Sequence, residues 1–143
     1  MLLPITEPIL ERLRAIRVTQ LQHPYADEVL TQQEVIVLTL GLGPAIYLRF
    51  DGRVLIWHYM DDEPLRETDD VGDIAAGIVI GARNSGFDGL LSLLPQMPSN
   101  GTVCDTCCGT HWWSFPRQTN NKKPGEIVCP TCRGLGWTVE SPR

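Results

Sequence analysis

Four of the five cysteines in this 143-residue chain fall in two Cys-x-x-Cys pairs, Cys104/Cys107 and Cys129/Cys132, with 21 residues between the pairs. Two residues between thiols let a tight turn aim both sulfurs at one point, and a second turn facing the first completes a tetrahedral four-sulfur set. Gly109 and Gly134 stand two places after the second cysteine of each pair. A residue without Cβ there lets the backbone fold back, so that its amides reach the sulfurs. Thiolates select Zn²⁺ among the common metals, with an iron–sulfur site as the alternative. The reading is therefore one structural zinc held by Cys104, Cys107, Cys129 and Cys132. A redox-active dithiol is the other chemistry that a Cys-x-x-Cys pair supports.

A metal closed by four thiolates has no open position for substrate, so a catalytic zinc is not expected. Nor does the chain carry a phosphate-binding loop, a dinucleotide fingerprint, a zinc-protease helix or a nucleophile elbow. No enzymatic activity is predicted. A segment of about 40 residues has little core of its own, so the metal is expected to supply most of the folding free energy of a zinc-ribbon-like module over residues 101–139. The fifth cysteine, Cys108, is read as a small packed or exposed side chain, with a substitute ligand or reactive thiol as the alternative. His111 is the other substitute ligand, although the four-cysteine set is complete without it.

All five cysteines lie within residues 104–132, and an odd number in tight pairs fits a reducing compartment better than a disulfide framework. The N-terminus lacks the basic and small-residue features of a signal peptide, and no apolar run approaches the ~18 residues of a membrane span. A cytoplasmic location is expected, with no membrane partner. The charge is uneven. Residues 1–100 carry 7 Lys/Arg against 14 Asp/Glu, a net −7, and residues 101–143 carry 5 against 3, a net +2. An acidic body disfavours broad binding to phosphate backbones.

Upstream of the cysteines the chain predicts an α+β body over residues 1–95, followed by a Pro/Ser/Asn/Gly linker at 96–100. A first helix runs from Glu7 to Leu21, entered through Thr6 and Pro8 and ended by His23-Pro24. Residues 31–41 carry competing signals. Thr31 and Glu34 form a capping box and Gly41 a C-cap, which favour a helix over 32–40, whereas β-branched Val35, Ile36 and Val37 suit a strand. Asp51-Gly52 predicts a two-residue hairpin turn between strands 45–50 and 53–60, with Leu48 opposite Leu55 and Ile46 opposite Trp57. The acidic Asp61, Asp62 and Glu63 close that hairpin, and a short strand follows at 65–68. Val71, Ile74, Ala75, Ile78, Val79 and Ala82 trace one helical face over 71–84, capped by Asp70 and stopped by Gly86. A short helix over 87–94 ends at Pro95. These helices are expected on one face of a small antiparallel sheet, with the zinc module docked on the body.

Between the two cysteine pairs, Trp112, Trp113 and Phe115 precede Arg117, Lys122 and Lys123. Aromatics beside cations are how single-stranded nucleic acid is held, but exposed tryptophans are equally the anchors of protein interfaces. With only three cations present, a protein partner is the first expectation and nucleic acid the second. The acidic residues Asp61, Asp62, Glu63, Asp69, Asp70 and Asp73 read as a solvated rim, as a lure for a basic partner or as a dock for the chain's own basic loop, and His58 as a structural residue.

Cys129-Pro130-Thr131-Cys132-Arg133-Gly134-Leu135-Gly136 matches in full the CxxCxGxG repeat of the cysteine-rich domain of DnaJ-type co-chaperones. Cys104 to His111 matches all but the last glycine. The family holds two zincs with four repeats; this chain has two repeats, enough for one. The His-Pro-Asp signature of the J-domain is not met, since His23-Pro24 is followed by Tyr25. The resemblance implies a zinc-binding local fold and, as one functional alternative, a chaperone accessory. A second resemblance lies in Leu30 to Val35, Leu40-Gly41-Leu42-Gly43-Pro44 and Phe50-Asp51-Gly52, which look like the opening of the SMI1/KNR4-type fold. It implies an immunity protein that neutralises a toxin. The first expectation from the residues themselves remains a non-enzymatic adaptor or regulatory protein.

Overall fold

The computed structural model describes residues 2–23, 26–40, 44–58, 64–115 and 125–139. The chain divides into two compact units, Met1–Leu93 and Leu94–Arg143. Among the described residues no helix is long and apolar enough to cross a membrane.

The first unit is α+β. Helix α1 spans Glu7–Leu21, with Thr6 at its N-cap and a proline in the first turn. A five-residue helix α2, Glu28–Gln32, follows, and then strand β1, Val35–Thr39. Of the two competing readings of residues 31–41, the strand forms, over Val35–Thr39, and the helix over 32–40 favoured by the end signals does not. Asp27, four residues before the expected cap, accepts the amide of Val29 and starts α2, and Gln33 at its end is already extended at φ −129° and ψ 155°. The β-branched Val35-Ile36-Val37 run then follows its preference for a pleated surface buried on both sides. Gly41, the expected helix stop, lies outside the described residues, as do Pro24, Tyr25, Asp61, Asp62 and Glu63.

Strands β2 (Ala45–Arg49), β3 (Val54–Trp57) and β4 (Arg66–Glu67) complete a four-stranded antiparallel sheet in the order β1-β2-β3-β4. The hairpin register differs by one residue from the expected one. Leu48 faces Val54, Tyr47 faces Leu55, and Ile46 faces Ile56. Arg49 N–H donates to Arg53 O at 2.8 Å and Gly52 N–H to Arg49 O at 3.0 Å, so the loop has three residues rather than two. Gly52, at φ 96°, supplies the left-handed step that such a loop needs. A Cβ on Gly52 would also lie 2.3 Å from the carbonyl oxygen of Leu3, whose own amide bonds Gly52 O.

Both faces of the sheet are covered. Helix α3, Val71–Ser85, lies on one of them, capped by Asp70 on the amide of Asp73 and ended by left-handed Gly86. Its Gly77 and Gly81 approach the sheet so closely that a Cβ on them would stand 2.9 Å from Ile46 Cγ2 and 2.5 Å from Leu38 Cδ2. The short helix expected over 87–94 is a 3-10 segment, Asp88–Leu93. The opposite face holds Val35, Ala45, Tyr47 and Leu55 with Leu30 of α2, and the buried Tyr47 hydroxyl donates to the Asp27 carboxylate.

Helix α1 borders β1, the edge strand. The Gln20 side chain accepts from Val37 N–H at 3.0 Å and donates to Val37 O at 3.2 Å, satisfying backbone groups that face away from β2. Arg17 donates to Leu30 O and Gln33 O, fixing the turn from α2 into β1.

The second unit contains two separate two-stranded antiparallel sheets. Strand β5 (Gly101–Val103) pairs with β8 (Trp137–Val139), and β6 (Trp112–Phe115) pairs with β7 (Gly125–Val128). Each strand leads into or out of a Cys-x-x-Cys turn, so the chain reaches the cysteines from the ends of both ladders.

Candidate metal centre

The four predicted ligand cysteines come together. Cys104, Cys107, Cys129 and Cys132 are buried, and their sulfurs all lie within 4.8 Å of one another, an arrangement that could hold one metal ion. Across the two turns the Cys104–Cys129 and Cys107–Cys132 sulfurs are each 3.7 Å apart. Four sulfurs at ~2.3 Å from one tetrahedral centre stand about 3.8 Å from each other, whereas a disulfide would require about 2.05 Å. The thiols are free, and the two cross-turn separations are close to the edge of a tetrahedral four-sulfur set. Leu135 is the partly buried apolar residue packed against them.

The two turns repeat each other at an offset of 25 residues, down to their backbone dihedrals. Cys108, Gly109 and His111 have φ of 55°, 81° and 75°; Arg133, Gly134 and Gly136, their counterparts, have 58°, 96° and 87°. Turn hydrogen bonds correspond as well: Thr110 N–H to Cys107 O matches Leu135 N–H to Cys132 O, both at 3.1 Å. Cross-turn bonds run in both directions, from Cys104 N–H to Gly136 O and from Cys129 N–H to His111 O, each 3.0 Å. Thr106 and Thr131 meet hydroxyl to hydroxyl at 2.8 Å. The cluster thus has an approximate twofold axis, along which the paired residues face one another. The repeat extends one position past the cysteine motif, to Trp112 and Trp137.

Backbone amides tune the sulfurs unequally. Burial raises the Cys104 thiol, but the amides of Cys107 and Thr106, with the neighbouring thiols of Cys129 and Cys107, outweigh it and bring its pKa down to about 7. Cys132 is pushed up to about 12, mainly by burial and further by the Cys129 and Cys107 thiols, despite the amides of Gly136 and Gly134. The Gly136 amide approaches the Cys132 sulfur at 3.2 Å, the amide-to-sulfur contact expected from the glycine pattern. A bound cation would stabilise all four as thiolates.

The remaining candidate residues fall outside this cluster. Cys108 is exposed, its thiol turned to Asp105 O at 3.7 Å. His111 donates from Nδ1 to Gly134 O at 2.8 Å instead of joining the sulfurs. Trp112 is half-buried and Trp113 exposed. As successive residues of β6 they point to opposite faces, and Trp113 stands opposite exposed Ile127. Arg117, Lys122 and Lys123 lie outside the described residues. In the β5–β8 sheet, exposed Val103 and Val139 share a face with Trp137, whose indole N–H donates to Pro95 O at 3.1 Å. Compared with known proteins, the chain matches no family model, no curated protein and no solved structure.

Proposed function

We propose that Cys104, Cys107, Cys129 and Cys132 hold one structural Zn²⁺, and that the chain is a non-catalytic, cytoplasmic protein-interaction protein using the zinc module as a rigid platform. The observation that carries the metal reading is the convergence of four buried sulfurs within 4.8 Å of one another, with both cross-turn pairs at 3.7 Å, close to the tetrahedral edge of a zinc tetrathiolate. Four protein donors complete the coordination shell and leave no place for substrate or activated water, so the role of the ion is to hold the two turns together.

The interaction reading rests on the apolar side chains that the module displays. Trp113 and Ile127 are directly opposed on one face of β6–β7, and both are exposed. An indole beside a branched aliphatic residue is the composition of a protein-binding anchor. Trp112 and Trp113 lie on opposite faces of their strand, so they do not offer successive bases one stacking surface, which supports the preference for a protein partner over nucleic acid. The test is affinity capture from the source organism's lysate, with nuclease, comparing the wild-type chain with Trp113→Ser/Ile127→Ser. A stoichiometric protein partner held by the wild type and lost by the variant, with zinc content unchanged, is the expected result. Capture of nucleic acid that disappears with nuclease would contradict the protein-partner reading.

A further inference from the structure

At the one position where the first turn departs from the glycine pattern, the departure has a structural use. His111 and Gly136 are counterparts about the twofold axis, and the backbone is left-handed at both. Glycine adopts that conformation freely, whereas a residue with a Cβ is strained in it. The strain at His111 is balanced across the axis. Its Nδ1–H donates to Gly134 O at 2.8 Å, in the opposite turn, while its own carbonyl accepts the amide of the ligand Cys129 at 3.0 Å.

The hollow between the two positions has room for one side chain. A Cβ built on Gly136 would lie 3.0 Å from His111 Cε1 and 3.2 Å from its Nδ1, and 3.5 Å from Gly109 O. Gly109 O is the counterpart of Gly134 O, the oxygen that the imidazole bonds. A side chain entering from position 136 would therefore meet the twofold-related acceptor, but the imidazole from position 111 already lies in that space.

We infer that His111 is a positioning residue of the metal centre: a latch between the two Cys-x-x-Cys turns that slows loss of the ion by holding them closed. This rests on the reading of the four cysteines as a metal site. The ring contacts Gly134 and Gly136 of the second turn, and the His111 backbone holds Cys129, so opening the turns to release the ion breaks both links. Residues that hold ligands in place from outside the coordination shell typically change metal affinity 10–100-fold.

The test is the rate at which Zn²⁺ passes from the full-length chain to a chromogenic chelator. His111→Gly removes the ring and installs the residue that the second turn uses at the same backbone conformation, so the backbone requirement stays met. It is expected to retain one zinc per chain but release it at least about tenfold faster. The exchanged variant His111→Gly/Gly136→His, with the imidazole entering from the other side towards Gly109 O, is expected to recover slow release. Release from His111→Gly at the wild-type rate, or an exchanged variant as fast as the single one, would overturn the latch. Failure of the wild-type chain to take up Zn²⁺ at all would overturn the metal reading and the latch with it.

Discussion

The two units solve the same problem, giving a folded chain something to close on, by different means. In the first, strands β1 to β3 of a four-stranded sheet are buried on both faces, and large side chains such as Tyr47, Leu13, Ile36, Leu48 and Ile78 are fully enclosed. In the second, the buried apolar residues among those described are Leu94 and the four cysteines. Cohesion in the first unit is distributed over many contacts, each worth one or two kcal/mol. In the second the buried side chains converge on one cluster, where four sulfurs lie within 4.8 Å of one another and could share one ion. A distributed core tolerates single losses, whereas a unit closed at one point does not.

The sharpest way to break this contrast is to remove the point. Chelation, or Cys129→Ser/Cys132→Ser, is expected to abolish the β5–β8 and β6–β7 ladders while the first unit keeps its fold. Structural zinc typically contributes about 10–16 kcal/mol to small modules. Amide-resolved NMR on the full-length chain would show loss of dispersion confined to the second unit; retention of β5–β8 and β6–β7 signals without metal would refute the contrast. Next in size, Gly81→Leu forces a side chain into the 2.5 Å gap at Leu38 Cδ2. It should destabilise the first unit by about 3 kcal/mol in denaturant titration and leave zinc content unchanged.

A smaller effect is expected from Gln20→Ala, which strips the amide and carbonyl of Val37 of their side-chain partner. A loss of about 2 kcal/mol and faster hydrogen exchange at the Val37 amide would follow; an unchanged exchange rate would mean that Gln20 is not what closes the edge of β1. Per pH unit, the smallest effect belongs to pH. Metal binding requires thiolates, and the metal-free Cys132, pushed up to about 12, holds its proton throughout the neutral range. Loading therefore displaces at least that proton, joined by part of the Cys104 proton near pH 7. The sign follows: affinity falls as pH falls, at least about tenfold per unit, or about 1.4 kcal/mol per displaced proton. Zinc competition titrations between pH 6 and 8 would measure that slope, and a flat profile would contradict it.

What could be read from the sequence was the part specified locally. The third helix declared itself through an Asp70 cap, an apolar face and a Gly86 stop. The four cysteines were legible because each pair is set by a turn of four residues, and two such turns need only face each other. Features set by tertiary context were not legible. Val54-Leu55-Ile56 and Ala45 to Leu48 are buried continuously, so no alternation marked which residues face which, and the three-residue loop shifted the register by one. Around residues 31–39, end signals for a helix and β-branched residues for a strand competed, and burial on both sides of the sheet decided for the strand. His111 looked like a lapse from the glycine pattern. Its role appears only when the second turn is placed against the first, since the space that it fills lies next to a residue 25 positions away.

Direct determination of metal content and coordination in the purified full-length chain tests the central claim most simply. Elemental analysis should give one zinc per chain, and cobalt substitution should give the intense visible and thiolate charge-transfer bands of a tetrahedral four-sulfur site. Substoichiometric zinc, together with four thiols that react freely with a thiol reagent in the native protein, would contradict the account.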